Sequence, residues 1–461
     1  MTNPNPYASP SLPASNASPV TANDDPSSPG YFDPIVPPTN VRYGVLAFAV
    51  SMSLLLYLHR FALSVAMPPI KEELGLTATQ LGLATGAFFY VYALAQVLAG
   101  RVFDGLGARF TLSLYVICWS LAIGSMGFIT GIASLFVFRC LLGFAQAGAY
   151  PCIASVNKRW FPVFRRGMAN SLTTTGGRTG GMLATIVTPL LMAAVGLMLG
   201  FQTGQWRWVF GLYALLGFVW AAGFWWYFRE SPDEHPSCNE AERRLVRGDH
   251  PPAPPAQSGI PIPPFAAMAT SPTMWLLCGI GICVNIGWIF LVTFLPTFLK
   301  SGHGYSLSQV GVLAAIPGMA SMAGGVSGGL TTDFLVRRLG LAWGRRLPGV
   351  IASLGAACAY LGCLVTDHPV LLVVLFAAAG FLIDFGLGSL WAVYQDIAGT
   401  HVASVLGFAN MCGNLAAGLF AWVIGMIAEE KNWSLVFLLS AGALVLTGTC
   451  WLFVDPRRKL A

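Results

Sequence analysis

Apolar residues come in long runs along this chain, broken by short polar turns. Twelve runs can be counted. They cover roughly 43–67, 78–100, 110–129, 132–155, 168–195 and 206–228 in the first half, and 273–299, 308–330, 347–366, 369–395, 403–428 and 433–454 in the second. A helix rises 1.5 Å per residue, so about 20 apolar residues span a bilayer core of about 30 Å. The pattern predicts an all-α membrane protein with twelve transmembrane helices. A Pro-, Ser- and Asn-rich arm, residues 1–41, precedes the first run and is expected to be disordered. Residues 230–271 separate the sixth run from the seventh and contain HPPAPPAQSGIPIPP, which predicts a stiff extended linker. These breaks divide the chain into a first six-helix unit (42–229), a second (272–454) and a tail (455–461).

Composition agrees: 55% of residues are hydrophobic and 10% charged, against about 25% charged in soluble domains. The net charge of +6 does not point to nucleic acid, because the basic residues are dispersed over short turns. Of the 25 Lys and Arg residues, 18 fall in the arm, the even-numbered turns and the tail, four in the odd-numbered turns, and three inside the runs. That bias places both termini in the cytosol of a cell-membrane protein and requires an even number of spans. The ten cysteines are scattered without a CxxC pair or metal-ligand spacing, so neither a metal nor a cofactor is expected.

An internal repeat is visible. Gly100-Arg-Val-Phe-Asp104, followed by Arg109, recurs as Gly329-Leu-Thr-Thr-Asp333, followed by Arg337, after the eighth run. Glycine allows close helix approach, and the aspartate can cap a helix or pair with an arginine. Two copies in two six-span halves predict parallel repeats about an axis along the membrane normal.

Three cations lie inside the runs: Arg60, Arg139 and Arg178. A cation there needs a partner, a polar cavity or an anionic ligand. Arg60 could instead snorkel, lying about 12 Å along the helix from Pro68. Tyr57 shares its helix face, and the two together can hold a carboxylate and a neighbouring hydroxyl. Arg139 suits either a ligand or helix-end carbonyls. Arg178, between Gly176-Gly177 and Gly180-Gly181, reads as a substrate or counter-ion contact near mid-membrane. Asn410 and Asn414, four apart, suit either a ligand or interhelical packing.

Over residues 42–454 the chain resembles a major facilitator superfamily transporter, and within it the anion:cation symporter family. The matching words are Tyr57-Leu-His-Arg60, Tyr92-Ala-Leu-Ala-Gln96, Arg139-Cys-Leu-Leu-Gly143, Trp160-Phe-Pro162, and Gly407-Phe-Ala-Asn410-Met-Cys-Gly-Asn414. The turn motif Gly100–Arg109 departs by having Gly105 where a basic residue usually follows the aspartate. The resemblance implies two six-helix bundles around a central cavity, a monomer, and a small organic anion as passenger. It implies that Arg60 binds a carboxylate, with Tyr57, Tyr92 and the two asparagines lining the same site.

The family's proton-carrying acids are replaced here by His59 and Gln146. His59 and Asp384 are the remaining candidates for coupling to protons, and an uncoupled or exchanging carrier is the third possibility; Asp384 also suits a gate-closing pair with an arginine. An exporter of amphipathic compounds is a competing reading, opposed by three buried arginines against one deep aspartate. A sensor on the same scaffold would need a signalling domain, and an enzyme would need converging catalytic groups.

Overall fold

The computed structural model describes residues 36–200, 203–247, 265–295, 298–299, 307–430 and 432–460. Most of the N-terminal arm and the Pro-rich stretch 250–264 therefore lie outside the described residues. Fourteen α-helices follow in order: α1 (Val41–Leu74), α2 (Ala78–Leu106), α3 (Ala108–Ser125), α4 (Ile132–Gln146), α5 (Ala149–Trp160), α6 (Arg166–Leu199), α7 (Gln205–Tyr227), α8 (Glu240–Arg247), α9 (Phe265–Thr270), α10 (Pro272–Ile289), α11 (Leu307–Gly362), α12 (Pro369–Ile397), α13 (Val402–Glu429) and α14 (Trp433–Phe453).

Among the described residues, eleven segments are long and apolar enough to cross a membrane, and one of them holds two crossings. The 56 residues of α11 would extend about 84 Å if straight, far more than a bilayer core. Gly340 breaks the helix at φ 77° and ψ 174°. The chain folds back there, so that a Cβ on Gly344 would lie 2.4 Å from Val336 Cα. Gly107, between α2 and α3, adopts nearly the same backbone, φ 78° and ψ 166°. The repeat thus extends to the turn itself, although six residues follow Asp333 before its glycine and two follow Asp104. Conversely, α4 and α5 make one crossing. They part at Ala147-Gly148 because Pro151 has no N–H to offer the carbonyl of Ala147.

The twelve crossings form two six-helix bundles, the first around one apolar cluster and the second around two, with Ala154 and Ala403 packed across the boundary. α2 packs on α13, and α6 on the first half of α11, to join them. Leu94, Leu197 and Val365 are among many large apolar side chains on the outside, the surface a bilayer would cover. One face carries the start of α1, the inter-bundle segment and the tail, and is called the terminal face below.

The first part of the inter-bundle segment is folded, where its prolines predict an extended linker. α8 carries Glu242, fully buried, against the start of α1. Its carboxylate accepts from the backbone N–H groups of Val41 and Arg42, the Thr39 hydroxyl and the Arg42 guanidinium. It caps the first transmembrane helix from outside, meeting donors that a helix start otherwise leaves unpaired.

Candidate functional site

α1, α2 and α4 converge inside the first bundle on two arginines. Arg60 is 9% exposed, with its guanidinium over three rings: Tyr92 at 4.6 Å, Phe88 at 4.8 Å and Tyr57 at 5.1 Å. Its Nε donates to Gln146 Oε1 at 3.3 Å, while one terminal nitrogen is buried without a partner. Arg139 is 2% exposed and lies 4.6 Å from the centre of the same Phe88 ring. It donates to the Thr85 carbonyl at 3.5 Å, and its Nε and other terminal nitrogen have no partner. Both arginines turn into the bundle, so Arg60 does not snorkel. Aromatic faces offset part of the desolvation of a cation, about 2 kcal/mol each at best. They leave the N–H groups unmet.

Tyr57 connects this pair to α6. Its ring meets Arg60 on one side, and a Cβ on Gly177 would approach it to 2.9 Å on the other. The glycines allow that closeness: a Cβ at Gly176 or Gly180 would come within 2.6 and 2.1 Å of the carbonyls of Val50 and Leu54. Beside Gly177, Arg178 leaves the first bundle and meets Asp384 of α12 through two bonds, Nε–Oδ2 at 3.0 Å and Nη2–Oδ1 at 2.8 Å. The guanidinium lies 4.4 Å from the Trp288 ring centre.

The two titratable groups separate. Asp384 is in the inter-bundle pair. His59 is fully buried against Tyr213 at 5.7 Å, with neither ring nitrogen bonded, facing α7 and not the arginines. Asn410 and Asn414 are half-buried on α13, and Asn414 donates back to the Asn410 carbonyl at 2.7 Å. Gly413 between them faces the Asn285 amide of α10.

At the terminal face the bundles are bolted together by the repeated motif. Asp104 accepts from the Ala403 and Ser404 N–H groups at the start of α13. Asp333 accepts from Gly167 and Met168 at the start of α6. Each aspartate therefore caps a helix of the opposite bundle, where the helix dipole favours a negative charge. Gly100 and Gly329 permit this contact, the first against Ala403 and the second against Gly167 and Ser171. Arg345, fully buried, joins the Val163 carbonyl, Asp396 and, at 3.7 Å, Asp333; Asp396 also holds Arg166. Arg109 takes no part in these inter-bundle contacts. It binds Glu230 and the Trp225 carbonyl within its own bundle.

Sequence reasoning missed Phe88 and Tyr150. Phe88 lies four residues before Tyr92 on one helix face, a spacing that could have flagged it. Tyr150, hydrogen-bonded to Ser53, edge-on to Tyr57 and tilted against Trp391, follows the break in the fourth crossing and carries no such signal. Gln146, noted only as a missing acid, is the hydrogen-bond acceptor for Arg60.

Comparison with known proteins agrees with this architecture. The family model for the Major Facilitator Superfamily matches residues 49–421 and 335–461. A probable sulfoacetate transporter of Cupriavidus necator is 28% identical, over 90% of this chain and 94% of that protein. A probable galactarate/D-glucarate transporter of Escherichia coli is 30% identical, over 90% and 95%. Among solved structures, a proton:xylose symporter superposes with a TM-score of 0.67 at 15% identity, covering 90% of this chain and 96% of that one. A bacterial homologue of the iron transporter ferroportin, in its outward-facing state, gives 0.67 at 13%, covering 89% and 99%. With two pseudo-equivalent six-helix bundles, a repeated aspartate turn between them and this match along its length, the chain belongs to the major facilitator superfamily.

Proposed function

We propose that this protein is a secondary transporter that moves a small organic acid anion across the cell membrane by alternating access. The observation that carries the reading is the pair of buried guanidiniums, Arg60 and Arg139. They share one phenyl ring, and three of their nitrogens lack partners. Such a site is built for an acceptor with several oxygens, because a guanidinium fork matches a carboxylate bidentately. Tyr57 and Tyr92 frame the same space, and the sulfoacetate and galactarate/D-glucarate transporters among its relatives handle small acids. The excess of buried cations speaks against a cationic or purely amphipathic cargo. The asparagines of α13 line the second-bundle side of the passage. The carrier works as a monomer, with both termini cytosolic, by the Lys and Arg bias of its turns. The terminal-face bolts then close the cytosolic side. Proton coupling runs through Asp384, which touches an arginine of the passage, and not through His59, which does not.

The test is a thermal-shift screen of purified protein against sugar acids, uronates, dicarboxylates and sulfoacetate, repeated with Arg60→Ala. A stabilising acid whose effect disappears with the arginine is expected. Stabilisation that survives the substitution overturns the site.

A further inference from the structure

Arg178 and Asp384 form a contact whose geometry is that of a guanidinium with a bound carboxylate. Two parallel bonds join them, at 3.0 and 2.8 Å, with the Trp288 ring beneath the cation. The pair is not placed where a structural bolt is needed. The terminal face is already held by Asp104, Asp333, Asp396 and Arg345. Arg178 lies 12 residues further along α6 than Arg166, about 18 Å towards the opposite face. Its side chain keeps 21% exposure, whereas Arg345 in the bolted face keeps none. Part of the Arg178 side chain is therefore left uncovered by protein, as a ligand subsite requires. The link to the first-bundle site is short. Tyr57 touches Arg60 on one side and the Gly177 backbone, next to Arg178, on the other.

We infer that Arg178 is a second anion subsite, occupied at rest by the protein's own Asp384, and that the passenger is a dianion whose second acid group displaces Asp384. The inference rests on the anion-carrier reading above and adds the class of passenger to it. One acid group goes to Arg60 and Arg139; the other replaces the aspartate on Arg178. The exchange preserves the number of charge-assisted bonds on Arg178, so it costs little at that end. It also breaks a cross-bundle tie, and the freed Asp384 rehydrates as the bundles shift. A monoacid satisfies only the first site and leaves the tie closed.

The experiment measures binding to purified full-length protein by thermal shift and calorimetry. The probes are D-glucarate against D-gluconate, glutarate against butyrate, and sulfoacetate against acetate. Wild-type protein is expected to prefer the dianion of at least one pair by tenfold or more. Arg178→Gln should remove that preference and keep the weaker monoacid binding, which Arg60→Gln abolishes. Asp384→Asn, which removes the internal competitor, should tighten the dianion several-fold and leave the monoacid unchanged. Size-exclusion profile and circular dichroism of each variant control for folding. Monoacid binding without a dianion preference, or a preference that survives Arg178→Gln, overturns the inference and leaves the anion carrier standing. Absence of binding to every acid overturns both.

Discussion

Buried positive charge is treated in two ways in this molecule. At the terminal face three deep cations meet oxygen: Arg345 has Asp396, a carbonyl and, at 3.7 Å, Asp333, Arg166 has Asp396 and two carbonyls, and Lys158 has the Gly399 carbonyl. In the middle of the first bundle, Arg60 and Arg139 meet mostly aromatic faces and keep unpaired N–H groups. The first arrangement ties the two bundles together. The second is costly while its donors stay unmet, and under the proposed function an arriving anion would meet them. The contrast teaches that partners on the far side of a bundle boundary, and not burial of the charge, set the two groups of cations apart.

The largest effect should come from the unsatisfied side. Arg60→Ala should reduce anion affinity by about 100-fold, roughly 3 kcal/mol, as expected for truncating one partner of a desolvated charge pair. Arg60→Lys should recover only part of it, because an ammonium lacks the planar fork. Uptake of labelled acid into proteoliposomes measures both. Equal activity of the lysine variant would reduce the site to a point charge.

The next effect has the opposite sign for stability. Arg139→Met removes a buried cation beside another and fills its space. The empty protein should gain about 1 kcal/mol or more, while binding falls tenfold or more. Thermal unfolding with and without acid separates the two. A destabilised empty protein would mean that the Thr85 carbonyl bond at 3.5 Å anchors the bundle, and would move Arg139 to the structural class.

How legible this was depended on the kind of information each residue carries. The twelve crossings, the repeated aspartate turn and the three intramembrane arginines are local patterns, and local patterns survive in sequence. The fusion of two crossings in α11 required the backbone, because a helix that continues to each side of Gly340 gives no composition signal. The partners of the arginines were legible only in part: Asp384 suited a pair with an arginine, but not which one. Arg178 and Asp384 are 206 positions apart, on different bundles, and nothing local links them. His59 was drawn towards the site by its neighbour Arg60, yet adjacent helical residues point about 100° apart, and it faces Tyr213. The folded start of the inter-bundle segment was hidden by the prolines that follow it. Its signal was Asn239 three residues before Glu242, a helix-start pattern close to a polar capping pair.

On the satisfied side, the two aspartates of the repeat offer an internal control. Asp104 caps α13 with backbone N–H groups and the Ser404 hydroxyl. Asp333 caps α6 and also faces fully buried Arg345. Asp104→Asn should weaken the closed terminal face by about 1 kcal/mol, the scale of a helix-end charge. Asp333→Asn should weaken it more, since it also reduces the negative charge facing Arg345. Spin-label distances across the terminal face measure the fraction that opens. Equal shifts would show that the Arg345 contact at 3.7 Å contributes nothing beyond the cap.

The smallest effect concerns the segment that caps α1. His235 packs edge-on to Trp160 and tilted against Tyr227, is 4% exposed, and accepts from the Ser237 N–H at Nδ1. Burial lowers its pKa below the ordinary 6.5. The folded segment therefore favours neutral imidazole, while the undocked segment takes up a proton near pH 6.5. The contribution of this residue is fully present above that pH and declines as the pH falls below it. Amide exchange at Val41 and Arg42, whose N–H groups Glu242 holds, should accelerate between pH 7 and pH 5.5 beyond the intrinsic dependence. In His235→Gln the excess should vanish. An excess that persists in His235→Gln would remove the histidine from this linkage.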